Sequence, residues 1–183
     1  MHDGIVRAMK VVLLDRDGTA IVDPPDFRVK SLHDLHFFDD TIEALKYLND
    51  NSFEIIFITN QAGIAEGVIP EEEFWKVQNE MIDRLARRGI HILDTFMCSA
   101  EAESDDPWRK PNPGMLLEAA KKYGFNLTET FMMGDRLSDV MAGINAGCKS
   151  ILVDTGWDII KTDKAEFIAP TLMDAARYIV KAS

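Results

Sequence analysis

Several short apolar runs in this chain lack polar alternation, among them Val11-Val12-Leu13-Leu14, Ile55-Ile56-Phe57-Ile58, Phe131-Met132-Met133 and Ile151-Leu152-Val153. A strand with one face in water alternates polar and apolar residues, so unbroken runs need cover on both faces. Between the runs, apolar residues recur three and four apart. Examples are Ile42, Leu45 and Leu48; Phe74, Val77, Met81 and Leu85; Leu116, Ala119, Ala120 and Tyr123; and Leu172, Ala175, Ala176 and Ile179. Strands alternating with amphipathic helices predict an α/β chain with a mainly parallel sheet and helices on both faces. Ile90 to Met97 supplies a further strand, and Phe167-Ile168 is a candidate sixth.

Punctuation residues set the predicted boundaries. Asp39 or Asp40 caps the first helix, Pro70 opens the second, and Asn112 caps a third with Pro113 at its first position. Gly89 and Gly147 stop helices, and Thr171 begins the last. Ala20 to Phe38, with Pro24-Pro25 and no clean period, reads as an ordered loop or small flap. Trp75 reads as packing, and no internal repeat or linker breaks the chain.

At 183 residues the length suits a single domain spanning 1–183, with 46% hydrophobic and 28% charged residues. The formal net charge of -11 argues against nucleic acid as a partner. A small anion is still admissible where a metal ion and a few placed cations reverse the sign locally. Cys98 and Cys148 have no CxxC spacing, and His2, His33, His36 and His91 form no HExxH pattern. With no membrane-length apolar stretch and no secretory leader pattern in residues 1–9, the expectation is a cytoplasmic protein.

Polar residues gather where these strands end. Asp15 and Asp17 follow the first run, with Gly18 allowing a sharp turn. That pair by itself is either an Asx turn or two acids aimed at one point. The second run leads into Thr59, Asn60 and Gln61, the third into Arg109-Lys110-Pro111-Asn112-Pro113, and the fourth into Asp135 and Asp139. Ligands of open parallel sheets bind beyond the carboxyl ends of the strands, which puts all four groups at one edge. The residue types suit phosphate chemistry. Asp15, Asp135 and the Asp17 carbonyl are candidate ligands for Mg²⁺, which prefers oxygen. Asp15 is a candidate nucleophile and Asp17 a candidate proton carrier; Lys110 and Thr59 are placed to steady phosphate oxygens, with amide donors from the Asn60 region.

The stretches DRDGT, TNQ-x-G-x-x-x-G at Thr59 to Gly67, RKPNPGM at Arg109 to Met115 and GDRLSD at Gly134 to Asp139 resemble the haloacid dehalogenase superfamily. The closer resemblance, over residues 10–156, is to its branch of heptose-bisphosphate and histidinol-phosphate phosphatases. It implies a Rossmann-like three-layer α/β/α sandwich and a Mg²⁺-dependent phosphomonoester hydrolase with an aspartyl-phosphate intermediate. By match, Asp15 is nucleophile, Asp17 general acid/base, Thr59 and Lys110 phosphate binders, and Asp135 a metal ligand. Asn60 and Gln61 lie in the same phosphate and substrate region, and Arg109 and Arg136 fall at substrate-contacting positions. A small phosphorylated metabolite is the implied partner, with D-glycero-D-manno-heptose 1,7-bisphosphate first and histidinol phosphate second.

One departure concerns the loop before Arg109. Where many members of the branch carry a Cys-x-His…Cys-x-Cys zinc loop, this chain keeps only Cys98, so no structural zinc is expected. The loop must then be stiffened otherwise, with Trp108 packing as a candidate. Its acids, Glu101, Glu103, Asp105 and Asp106, read as a solvated surface. The intervals between motifs leave no room for a separate cap domain, so loops must shape recognition, with Phe27 and Arg28 as candidate substrate contacts. A receiver domain is the nearest rival of another class, but its acceptor Asp belongs on the third strand and its Lys follows the Thr on the last. A catalytically silent phosphometabolite-binding protein is a second rival, disfavoured because no expected chemical position is lost. The sequence leaves the oligomeric state open.

Overall fold

The computed structural model describes residues 9–156 and 162–183; His2 lies outside them. Six parallel strands form one sheet in the order β3-β2-β1-β4-β5-β6. They are β1 Lys10–Leu14, β2 Phe53–Asn60, β3 Asp94–Cys98, β4 Phe131–Gly134, β5 Lys149–Val153 and β6 Phe167–Ala169. The helices are α1 Thr41–Asp50, the single turn α2 Ala62–Ala65, α3 Glu71–Ala86, α4 Gly114–Tyr123, α5 Leu137–Ala146 and α6 Leu172–Ala182.

Two apolar cores explain the unbroken runs. Successive strand residues point to opposite faces. Val12 and Leu14 of β1 therefore join Ile55, Phe57, Phe131 and Met133 beneath α1, α3 and α6. Val11 and Leu13 join Ile56, Ile58 and Met132 with residues of α4 and α5 on the other face. With both sides of the sheet covered, neither parity can be polar.

The chain runs from β1 outward to β2 and β3, then crosses back to place β4 on the other side of β1. Strand direction of travel thus reverses between β1 and β4, where an open α/β sheet leaves a crevice. Leu14 is in register with Phe57 on one side and Met133 on the other, so residues after Leu14 emerge into that crevice. The interval from β1 to β2 holds a loop and α1; the interval from β2 to β3 holds α2 and α3. In the loop, Ile21 bridges to both Asp17 and Phe37, and Ile21, Val29 and Leu35 are buried. Residues 20–38 are therefore an ordered loop with its own apolar anchors, containing a 3-10 turn at Leu32–Asp34.

Two expected boundaries shift. β3 begins at Asp94 rather than Ile90, because Ile90 and Ile92 are buried as connecting chain. Pro113, not Asn112, stands at the N-cap of α4, and the Asn112 amide instead donates to the Asp106 carbonyl at 2.9 Å. Asp40 stands at the N-cap of α1 but makes no side-chain cap bond. Its Oδ2 accepts from the Met173 N–H at 2.8 Å, tying α1 to the start of α6. No helix among the described residues is long and apolar enough to cross a membrane.

Replacing Asp40 strands the Met173 N–H, a loss worth about 1 kcal/mol. Asp40→Ala is expected to lower the melting temperature by about 2–4 °C, while exposed Asp39→Ala leaves it unchanged. Equal shifts for the two variants would contradict the helix–helix role.

Candidate active site

Just past β1 the Asp15 N–H still donates to the Met133 carbonyl at 2.9 Å, so Asp15 extends the ladder toward β4. The chain then tightens: the Arg16 carbonyl accepts from the N–H groups of Ala20 and Ile21, and the Gly18 N–H donates to the Ile21 carbonyl. Gly18 has φ +79°, and a Cβ there would lie 2.6 Å from Asp135 Oδ2 and 2.9 Å from Asp23 Oδ2. Only glycine allows both that backbone and that approach of carboxylates.

Asp15, Asp135 and Asp139 each offer an oxygen within 4.8 Å of the others. Lys110 answers them from the loop after β3. Its Nζ lies 2.6 Å from Asp15 Oδ1, 2.6 Å from Asp139 Oδ1 and 2.8 Å from the Ile58 carbonyl of β2. Lys110, Asp15 and Asp139 are all buried. Burial pulls the Lys110 pKa down, but Asp139 and Asp15 outweigh it and hold the ammonium above its ordinary value. Burial, then repulsion from Asp139 and Asp135, raises Asp15 well above the usual carboxylate range against the pull of Lys110. Asp135 is raised by burial and by Asp139. Lys110, and Arg136 at 3.9 Å from Asp135 and 3.0 Å from Asp23, face the four carboxylates of Asp15, Asp23, Asp135 and Asp139. The positive charge falls short, and an all-oxygen donor set of this kind fits a hard divalent cation.

Asp17 stands apart from that cluster. Its Oδ1 accepts from Arg16 Nε and its Oδ2 from Arg16 Nη2, both at 2.8 Å, while Gln61 Nε2 donates to Oδ2 at 2.5 Å. Gln61 also donates to Thr59 Oγ1 at 2.8 Å, linking the ends of β1 and β2. Asn60 is engaged with backbone: it accepts from the Lys110 N–H and donates to the Lys110 carbonyl, each at 3.0 Å. Here it serves as a clamp on the lysine's peptide groups.

Asp15, Asp17, Thr59, Asn60, Gln61, Lys110 and Asp139 line a cleft of about 440 Å³ that also takes in Arg28, Arg109 and Arg136. Arg136 donates to Asp23 Oδ2 at 3.0 Å, and its guanidinium lies 5.5 Å from the Phe27 ring centre. Asp23 is buried, which with nearby Asp17 pushes its pKa up to about 6. Arg28 pairs with Glu66 at 2.5 Å across one wall. Arg109 is partly committed to the acidic loop, donating to the carbonyls of Ala102 and Ala100 at 3.0 and 3.3 Å. With Asn112 on the Asp106 carbonyl and the Gly114 N–H on the Pro107 carbonyl, those bonds brace the loop. Trp108 adds a tilted contact with Phe96 at 6.2 Å but is 38% exposed, so packing is the lesser part.

Of the residues singled out from the sequence, Asp15, Asp17, Thr59, Asn60, Gln61, Arg109, Lys110 and Arg136 line this cleft, and Asp135 lies behind it in the carboxylate cluster with Asp15 and Asp139. Asp139, Asp23 and Arg16 were given no site role by the sequence. The four-residue spacing of Asp135 and Asp139 across a helix start carried a signal for the first, whereas nothing local marks the other two.

Gly18 and Gly67 both have positive φ, but nothing lies within 4 Å of a Cβ at Gly67. Gly67→Ala is expected to cost about 1–2 kcal/mol of left-handed strain. Gly18→Ala is expected to cost about 1–3 kcal/mol more by crowding the carboxylates, read by denaturant unfolding. Equal costs would refute the close approach.

A HAD-hydrolase-like family model matches residues 107–175. A D-glycero-beta-D-manno-heptose-1,7-bisphosphate 7-phosphatase of Pasteurella multocida is 34% identical over 179 residues, covering 93% of this chain and 96% of that protein. The Histidine biosynthesis bifunctional protein HisB of Bacteroides fragilis is 34% identical over 154 residues, and this chain spans only 41% of its length. The crystal structure of a D,D-heptose 1,7-bisphosphate phosphatase from B. bronchiseptica, complexed with magnesium and phosphate, superposes with TM-score 0.86 at 27% identity, covering 96% of this chain and 100% of that one. With a cluster of aspartates and one lysine at the β1–β4 crevice and the Pasteurella relative matched along nearly its whole length, the chain belongs to the phosphatases of the haloacid dehalogenase superfamily.

Proposed function

We propose that this chain is a Mg²⁺-dependent phosphomonoester hydrolase acting on a small phosphorylated metabolite, with D-glycero-D-manno-heptose 1,7-bisphosphate as the leading substrate. The observation that carries it is Lys110 bridging Asp15 and Asp139 beside Asp135, at the one crevice of the sheet. Asp15, Asp135 and the Asp17 carbonyl would hold the metal. A bound Mg²⁺ supplies charge neutralisation at the phosphate oxygens.

The chain's own groups account for the remaining steps. An Asp15 oxygen attacks phosphorus in line, and the bond from phosphorus to the ester oxygen breaks. Asp17 gives its proton to the departing alkoxide, leaving an aspartyl-phosphate on Asp15. Asp17 then takes a proton from water as that water cleaves the acyl phosphate. Lys110 and Thr59 steady the transferred group, with Asn60 and Gln61 fixing their positions.

Arg28, Arg109 and Arg136 on the cleft wall provide charge for a second anionic group, as a bisphosphate has. The Pasteurella relative of matching length is named for that substrate. Histidinol phosphate is the second candidate, supported by the likeness to the bifunctional histidine-biosynthesis proteins over part of their length. The net charge of -11 suits a small cytoplasmic solute better than nucleic acid.

Phosphate release from heptose and hexose bisphosphates, histidinol phosphate and nucleotides, each with MgCl₂, tests the assignment. The heptose bisphosphate is expected to give the highest kcat/KM, and histidinol phosphate outranking it would transfer the assignment. Asp15→Asn is expected to lose about 10³-fold or more in kcat while still melting cooperatively as a folded protein; near-normal turnover would sink the mechanism. Mg²⁺ is expected to raise the melting temperature of the metal-free protein by mass action, and Asp135→Ala to remove that rise.

A further inference from the structure

Arg16 is the largest side chain that the fold buries completely, at 0% exposure. A guanidinium withdrawn from water is costly unless its charge and its donors are matched. Here they are matched by its own neighbour. Nε and Nη2 form a fork on the two oxygens of Asp17, each at 2.8 Å. The rest of the group is held from behind by α3: the Phe74 ring centre lies 4.7 Å from the guanidinium carbon, and Nη1 donates to Gln78 Oε1 at 3.3 Å. Gln78 is itself fully buried and donates to Thr95 Oγ1 of β3 at 2.8 Å.

Asp17 lines the cleft, whereas Arg16 has no exposed surface and does not. Whatever Arg16 does to a bound molecule must pass through Asp17. Without Arg16, the short Asp17 carboxylate would keep only the Gln61 amide on Oδ2 to limit rotation about its side-chain bonds. A planar fork against a rigid helix removes that freedom, which an ammonium group cannot do as well. We propose that Arg16 is a positioning residue that fixes the Asp17 carboxylate for proton transfer to the leaving group, with Phe74 and Gln78 as its support. This rests on the phosphatase assignment above, in which Asp17 carries the proton.

A purely structural arginine and a positioning one differ in leaving-group dependence. A sugar alkoxide needs a proton as it departs, while 4-nitrophenolate does not. Single-turnover phosphoryl transfer to the enzyme is therefore compared for the best sugar phosphate of the panel and for 4-nitrophenyl phosphate. Arg16→Met is expected to slow transfer from the sugar phosphate by about 10- to 100-fold. Transfer from the nitrophenyl ester is expected to change by less than about threefold, since that step needs no acid. Arg16→Lys is expected to fall between, and Phe74→Leu to shift the ratio the same way, so the test survives if Arg16→Met does not fold. Equal losses on both substrates, or no loss on either, in variants with a cooperative melting transition would overturn the proposal. Wild-type protein that transfers phosphate from neither compound would instead overturn the phosphatase assignment, and this proposal with it.

Discussion

The Lys110 ammonium group is the interaction on which the cleft depends. It arises in the loop after β3, yet it contacts the carboxylate that follows β1, a carbonyl of β2 and a carboxylate in the first turn of α5. Four chain segments far apart in sequence are thereby fixed to one another at a single buried point. Without it, Asp15, Asp135 and Asp139 would face each other unscreened in a low-dielectric setting. The lysine is secured in turn by the Asn60 amide, which takes up both its N–H and its carbonyl.

Around that point the acids divide into two environments. The three clustered carboxylates have oxygens facing one another, and burial together with repulsion from Asp139 raises Asp15 and Asp135. Asp17, two residues from Asp15, is instead saturated by donors from Arg16 and Gln61. One short loop thus presents one acid to a cluster of carboxylates and another to a network of hydrogen bonds. The division follows from the tight turn at Gly18, which lets two neighbouring side chains leave the strand in different directions.

The cleft walls beyond the carboxylate cluster are built by loops. The 20–38 segment is anchored by Ile21, Val29 and Leu35 and carries Phe27 and Arg28 to the cleft, where Arg28 meets Glu66 of the segment after β2. On the opposite side, Arg109 spends guanidinium bonds on the loop that precedes it. The arginine expected to contact substrate is therefore also the brace of the loop that has only Cys98 of the cysteine pattern. That double use makes the loop's conformation and the cleft's charge interdependent.

The unbroken apolar runs, alternating with amphipathic helices, pointed to the parallel, doubly covered sheet, because both faces of Val11 to Leu14 need cover and crossover helices supply it. The strand-end residues likewise determined which groups gather at one edge, since parallel strands all finish on the same side. Tertiary structure decided what each group touches. Asp40 looked like a helix cap and instead holds the Met173 N–H, 133 positions away; Asn60 looked like a ligand donor and holds Lys110. Arg16 carried no local mark at all, because its partners Phe74 and Gln78 lie on α3, and only packing reveals a charge fully enclosed by the fold. Periodicity and strand ends are properties of the local chain and can be read from it, whereas the pairing of buried polar groups is fixed only when distant segments close around them.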